Sequence, residues 1–367
     1  MHVLVGIAGG ALILLMLSEF FVSFLLPRRV KRDPRIARQI YTVLWPLWRA
    51  AANRLPQASR DTMLGFFGPL GLLWMLSLWT FGLMLGYACL HWAGGSKLGP
   101  GGSAVGFGSD LYYSAGAFLS ATTDLAAHTS YAHLLNIFEA ATGFAVLFIA
   151  IGYLPALFQA FSRREVAVSQ LDPRAGTPPT AGALLLHSAG RGGWEDLDEY
   201  LEEWETWAAE LMETHLSYPV LGYFRSQHLD QNWLAALTTI LDTCAFTMVV
   251  GAPEAGRTAQ LTFALGRHAI ADLSFAFHTK VAPPQGDRLS EAEFARLCAD
   301  LEEAGMTVNR SEDSYERLDE IRETYEPYVR ALSQRLALPL PGWLPPEELE
   351  SNWERSSAQR RGKSLLP

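Results

Sequence analysis

The sequence predicts an all-α membrane protein in which three transmembrane helices, with a short re-entrant helix between the second and third, precede an α-helical C-terminal domain. Three apolar stretches each exceed the length of about 20 residues that a bilayer span needs. Charge divides the 367-residue chain, because residues 1–164 hold 12 Lys and Arg against 6 Asp and Glu, whereas residues 165–367 hold 17 against 32. In the acidic half, apolar residues recur at helical spacing.

The first predicted span is Val3 to Leu26, so residues 1–27 form an N-terminal transmembrane helix. A secretory signal peptide is the alternative interpretation. It fits poorly, because no basic residue precedes the apolar stretch and no small-residue cleavage site follows it. We therefore expect a retained membrane anchor.

The second span is predicted over residues 63–92 and the third over residues 132–161. Cytosolic loops carry the excess of Lys and Arg. Residues 28–61 hold nine Lys and Arg against two Asp, whereas Lys97 is the only Lys or Arg between the second and third spans. The N-terminus is therefore expected outside and the C-terminal domain in the cytosol, which corresponds to a multi-pass protein of a bacterial inner (plasma) membrane. Part of the basic linker, from Arg38 to Arg54, has the pattern of an amphipathic helix on the membrane surface.

Between these two spans, residues 93–109 are rich in Gly and Ser and predict a flexible external segment. The apolar residues 110–119 that follow are too short to span, and Asp110 suits a helix N-cap. A short apolar helix between two spans indicates a re-entrant helix, with residues 120–131 as the returning stretch.

Residues 62–165 resemble the potassium-channel superfamily, in the outer helix, pore helix, filter and inner helix form of its bacterial members. The residues that carry the resemblance are Tyr112-Tyr113-Ser114 at the pore helix, Asp124 after the filter, the inner-helix stretch 134–144 and its continuation 151–165. Two later stretches, 217–220 and 223–228, are also similar to that group. The resemblance implies a homotetramer around a central pore for monovalent cations.

The segment at the filter position departs from the family. Potassium filters read Thr-Val-Gly-Tyr-Gly-Asp, whereas the matching residues here are Leu119, Ser120, Ala121, Thr122, Thr123 and Asp124. Glycine enters the left-handed backbone region freely, but a β-branched residue such as threonine does not. We therefore expect that the segment forms no stacked-carbonyl filter and that the pore is not selective for potassium.

Two hypotheses about function remain open. In the first, four copies of Asp124 form an acidic ring that favours cations in a weakly selective pore, gated through the cytosolic domain. In the second, the pore is sealed and the protein is a non-conducting pseudo-channel that acts as a membrane sensor or scaffold.

Four residues of the third span are further candidates. Glu139 is an intramembrane carboxylate, and we expect that it bonds to the pore-helix region as a structural support. Gly143, Gly152 and Pro155 are candidate gating hinges, because Gly and Pro permit bends in membrane helices. For Gly143, close helix packing is an equally weighted alternative.

The C-terminal half is predicted to contain a linker over residues 166–193, a helical domain over 194–340 and a tail over 341–367. Predicted helices include Trp194–His215, a buried core helix over Gln231–Val250 that is long enough to be a fourth span, Leu289–Gly305 with a capping box at Ser290 and Glu293, and Glu312–Leu336. No enzyme, metal or cofactor motif is present, so none of these is predicted. The acidic balance also argues against nucleic acid as a partner.

Overall fold

A computed structural model describes residues 1–24, 36–104, 106–227, 231–281 and 286–345, and within these residues every regular element is helical. The chain divides into two compact units, Met1–Phe158 and Gln159–Pro367. The end of the first predicted span, the basic residues 28–35, His228 and the tail from residue 346 lie outside the described residues. The twelve α-helices of the described residues are α1 His2–Phe24, α2 Ile36–Ala52, α3 Gln57–Gly94, α4 Phe107–Phe118, α5 Ser130–Ala175, α6 Ala181–Ala189, α7 Trp194–Ser217, α8 Trp233–Val250, α9 Pro253–Ala276, α10 Glu291–Glu303, α11 Ser314–Glu323 and α12 Glu326–Leu336.

Four helical stretches of the described residues are long and apolar enough to cross a membrane: His2–Phe24, Ser59–Gly94, Ser130–Ala175 and Trp233–Val250. The second and third contain the spans predicted over residues 63–92 and 132–161, and the first covers the predicted span Val3 to Leu26 as far as Phe24. The fourth differs from them, because 94% of its apolar window is buried by the protein's own residues, against 22% to 50% for the others.

In the first unit, α1 packs along α3 through small residues that allow a close approach. A side chain at Gly9 would lie 2.7 Å from the Cβ of Cys89, and one at Gly86 would lie 2.6 Å from Ile13. Toward the C-terminal end of α1, the rings of Phe20 and Trp79 pack edge to face with centroids 5.6 Å apart. Most of the candidate amphipathic stretch 38–54 is helical as α2, which packs on α3 through aromatic side chains.

In the second unit, α8 is the central helix, and the helices around it include α6, α7, α9, α11 and α12. Its one carboxylate, Asp242, is fully buried and accepts hydrogen bonds from Arg288 and from the hydroxyl of Tyr325. A buried carboxylate is stable only when it is paired in this way. The predicted capping box is also confirmed, since Ser290 and Glu293 cap each other at the start of α10.

The prediction of a linker over 166–193 is wrong for most of that stretch. Helix α5 continues to Ala175 and α6 covers Ala181–Ala189. Helix α5 ends before Gly176, which has a φ of 78°, and Thr180 caps α6 by accepting from the Ala183 amide. The compact units also divide at residue 158 and not at 165.

Two further predictions need correction. The single helix expected over Glu312–Leu336 is two helices, α11 and α12, which are separated at Thr324 and Tyr325. Pro327 lies in the first turn of α12. A proline is tolerated there because an N–H in the first turn has no partner within the helix, and its fixed φ favours the start of a new helix. In the 93–109 segment, which was expected to be flexible, Leu98 is fully buried against Tyr113 of α4 and Ala132 of α5, so this part packs on those two helices.

Candidate pore segment and its buried polar support

The candidate pore segment begins with α4, a helix of 12 residues between α3 and α5. Helix α4 starts at Phe107, three residues before the predicted start, so Asp110 is not its N-cap but lies in its first turn, where it is buried. The N-cap position is held by Gly106. Helix α4 packs against α3, and its buried face includes Tyr113, Ser114 and Phe118.

The hydroxyl of Ser114 in α4 contacts both of the long helices that flank α4. It lies 2.9 Å from the carbonyl oxygen of Met84 in α3 and also within hydrogen-bond distance of Oε1 of Glu139 in α5. Both side chains are fully buried. The contact that the sequence predicted between Glu139 and the region of α4 is therefore present.

The second carboxyl oxygen of Glu139 faces His91, which is not among the site residues predicted from the sequence. Oε2 of Glu139 lies 3.4 Å from Nε2 of His91, and both side chains are fully buried. Nδ1 of His91 lies 2.8 Å from the hydroxyl of Ser96. His91 has the same feature in the sequence as Glu139, because both are titratable side chains inside an apolar span.

The hydrogens in this buried network can be counted. The Ser114 hydroxyl has one hydrogen but two acceptors in reach, the Met84 carbonyl and Glu139 Oε1. A proton on Oε1 of Glu139 satisfies both contacts, because Glu139 then donates to Ser114 and Ser114 donates to Met84. The geometry thus favours a neutral Glu139 that links α3, α4 and α5.

Two glycines allow α4 and the residues after it to approach their neighbours closely. A side chain at Gly116 would lie 2.3 Å from the methyl group of Thr123, so this glycine leaves room for the returning segment. A side chain at Gly143 in α5 would lie 2.0 Å from the carbonyl oxygen of Phe118. This contact favours the packing alternative for Gly143.

The two other candidate hinges have different surroundings. Nothing lies within 4 Å of the position that a side chain at Gly152 would occupy. The α5 backbone remains helical through Gly152 and Pro155. A hinge role at these two residues stays a prediction.

The filter-like segment follows α4 as a turn and then irregular backbone. Ser120 has a φ of 53°, and it is the one residue of the segment 119–124 in the left-handed region. The Ala121 amide donates to the Gly116 carbonyl at 2.8 Å, and the Thr123 hydroxyl donates to the Leu125 carbonyl at 3.1 Å. Asp124 is exposed, as are Leu119, Ala121 and Thr122. The structure therefore brings Glu139 and Gly143 against α4, while Asp124 lies in the exposed part of the segment.

Comparisons of the chain with protein-family models, with curated proteins and with solved structures find no match. The resemblance to potassium channels consequently remains an inference from the residues themselves.

Proposed function

We propose that this chain is one subunit of a homotetrameric ion channel that conducts monovalent cations with weak selectivity and is gated through its second unit. One observation carries the proposal: a helix too short to span, α4, lies between two long apolar helices and is followed by an irregular return segment. Irregular backbone at membrane depth is tolerated only where protein or a watery cavity surrounds it. In a pore loop, protein surrounds one side of the irregular backbone and a water-filled cavity the other.

The proposed topology has three spans, formed by α1, α3 and α5, with the N-terminus outside and the second unit in the cytosol of a bacterial inner membrane. The nearly complete burial of α8 by protein supports a core helix there and not a fourth span. In a lipid-facing α8, the paired Asp242 would need its partner Arg288 inside the bilayer as well. The basic composition of residues 28–61 supports the orientation.

The exposure of α5 supports assembly of several copies. Only 22% of its apolar window is buried within one chain, and its exposed side chains include Ile137, Phe144 and Phe148. In the proposed tetramer, lipid and neighbouring copies cover these side chains, and closed cyclic symmetry places the return segments around one axis.

The return segment supports a hydrated pore and not a potassium filter. A stacked-carbonyl filter replaces the hydration shell of potassium with successive rings of backbone carbonyls. Here only Ser120 adopts the left-handed conformation, and the next residue, Ala121, bonds back to α4. Four exposed Asp124 carboxylates at one mouth favour cations over anions without separating potassium from sodium.

Ion flux through the purified protein in liposomes tests this function, with potassium, sodium and chloride gradients compared. We expect flux of both cations and little of chloride, and a lower cation flux in Asp124→Asn. Glu199→Gln is the matched control, because it removes one exposed negative charge from α7, far along the chain from the segment. Absence of any flux in folded, tetrameric protein, with and without candidate activating ligands, would instead favour the non-conducting pseudo-channel.

A further inference from the structure

The last turn of α9 and the residues directly after it carry two exposed apolar side chains and an exposed lysine that have no role in the proposed pore. Phe275 is 67% exposed and Val281 is 58% exposed. His278 and Lys280 between them are exposed as well. These four residues, 275, 278, 280 and 281, form the α9 tip. Large exposed apolar side chains beside a lysine are typical of surfaces that bind membranes.

The α9 tip is linked by direct contacts to the base of α5. Phe277, between its members, packs on the Tyr223 ring with centroids 5.9 Å apart, and a side chain at Gly222 would lie 2.2 Å from the Phe277 ring. The adjacent Phe224 packs on Phe161 with centroids 5.6 Å apart. Phe161 is the last residue of the proposed third span.

Hydrogen bonds hold this connection in place. Arg164, one turn of α5 below the proposed span, donates to the carbonyl oxygens of Leu221 at 2.9 Å and Phe224 at 3.0 Å. The segment Pro219–Tyr223 is therefore fixed to α5 on one side and to the end of α9 on the other. These contacts lie in one compact unit, and they connect the α9 tip to the part of α5 that directly follows the proposed span.

Charge complementarity identifies the surface that the α9 tip fits. The second half of the chain is acidic overall, with 17 Lys and Arg against 32 Asp and Glu in residues 165–367. The α9 tip instead combines Lys280 with two apolar side chains, and Arg163 of α5 is exposed next to Arg164. The cytosolic leaflet of a membrane is anionic and attracts such cations near its surface.

We propose that the α9 tip docks on the anionic cytosolic surface of the bilayer, with Phe275 and Val281 among the lipid headgroups and Lys280 against their phosphates. The proposal rests on the proposed topology, in which α5 crosses the membrane and the second unit is cytosolic. It does not depend on whether the pore conducts. The docked tip would hold the second unit against the membrane beside the base of α5.

Spin labelling of the full chain tests the proposal. A nitroxide is attached to the cysteine of Phe275→Cys. The rate at which this label collides with oxygen, which enters lipid, is compared with the rate at which it collides with a nickel complex that stays in water. The protein is in vesicles of equal parts phosphatidylcholine and phosphatidylglycerol. Glu199→Cys on the acidic face of α7 is the matched control, and the unsubstituted protein measures background labelling of Cys89, Cys244 and Cys298.

We expect the label at 275 to collide with the nickel complex several-fold less than the label at 199, and to retain oxygen access. Adding Lys280→Glu to Phe275→Cys is expected to raise nickel access at 275, since the reversed charge repels the anionic surface. Equal nickel access at 275 and 199 would overturn the proposal. Shielding of position 275 from both reagents would also overturn it, because that result means that protein covers the tip.

Failure of this inference and failure of the proposed function give different results. If the protein conducts ions while the label at position 275 is accessible from water, only the docking proposal is contradicted. A label at lipid depth in protein that passes no ions contradicts only conduction.

Discussion

The carboxyl group of Glu139 and the imidazole of His91 are both fully buried and lie next to each other, with Oε2 and Nε2 3.4 Å apart. The other oxygen of Glu139 contacts Ser114 of α4, so one side chain joins three helices around the candidate pore segment. Neither Oε2 of Glu139 nor Nε2 of His91 has a hydrogen bond to any other described residue. Because Glu139 contacts both Ser114 and His91, substitutions of Glu139 test this network most directly.

Glu139→Gln is expected to retain most of the stability of the protein, whereas Glu139→Ala is expected to lose about 1–3 kcal/mol. A glutamine amide donates to Ser114 as a neutral carboxyl does, while alanine leaves buried polar groups without partners. The thermal unfolding midpoint in detergent, followed by circular dichroism, measures both variants. Equal destabilisation by the two substitutions would contradict a neutral Glu139 and indicate an ionised one.

Gly143→Ala is expected to destabilise the protein by about 1–3 kcal/mol, because the added methyl group meets the Phe118 carbonyl and overpacks the contact. Gly152→Ala is the control in the same helix, since its methyl group has open space around it. Alanine favours helix over glycine, so Gly152→Ala is expected to be neutral or slightly stabilising. Equal midpoints for the two variants would contradict the packing role of Gly143.

Arg164→Met is expected to destabilise the second unit by about 3 kcal/mol or more, because a buried ionic and polar network loses its central group. The guanidinium of Arg164 bonds the Leu221 and Phe224 carbonyls and pairs with Glu165 at 2.8 Å. Its neighbour Arg163 is exposed, so Arg163→Met also removes one positive charge but breaks no buried contacts. Thermal unfolding should therefore separate two substitutions at adjacent positions, and similar midpoints would exclude the anchoring role of Arg164.

The second unit is expected to lose stability in acid through Glu326. Burial raises the pKa of this carboxyl, but Arg288 and Arg322, at 3.2 Å and 3.1 Å, outweigh burial and hold the pKa below its usual value. A depressed carboxyl pKa contributes stability above its unfolded value of about 4.3 and loses it as the pH falls through the folded value.

Glu326→Gln is accordingly expected to unfold more easily than the unsubstituted protein at neutral pH, by about 3 kcal/mol, and the difference should narrow below about pH 4. Unfolding midpoints across that pH range measure the difference. The exposed Glu320 provides the control, since Glu320→Gln should show little difference at any pH. A Glu326→Gln penalty that stays constant down to low pH would contradict the role of this carboxylate.

Much of the fold was predictable because its signals are local. The apolar lengths of α1, α3 and α5, the repeat of Leu197, Leu201 and Trp204 in α7, and the Ser290–Glu293 capping box each depend on residues close in sequence. The mistaken linker shows the limit of such signals. Pro and Gly mark helix ends, but they do not say whether the residues between them form another helix.

The candidate site was only partly predictable, because its partners are distant in sequence. Glu139 was identified as an apolar-span carboxylate, but its contacts with His91 and Ser114 depend on how three helices pack. The close approach of Gly143 to Phe118 likewise depends on tertiary structure, so hinge and packing could not be separated from the sequence.

The most direct test of a cation pore without a potassium filter is the reversal potential of the reconstituted protein, with potassium on one side of a planar bilayer and an equal concentration of sodium on the other. We expect measurable current that reverses near zero voltage, because a hydrated pore lined by Asp124 carboxylates does not separate the two ions. A reversal potential far toward the equilibrium potential of potassium would contradict this, since it would require a selective carbonyl filter from residues 119–124.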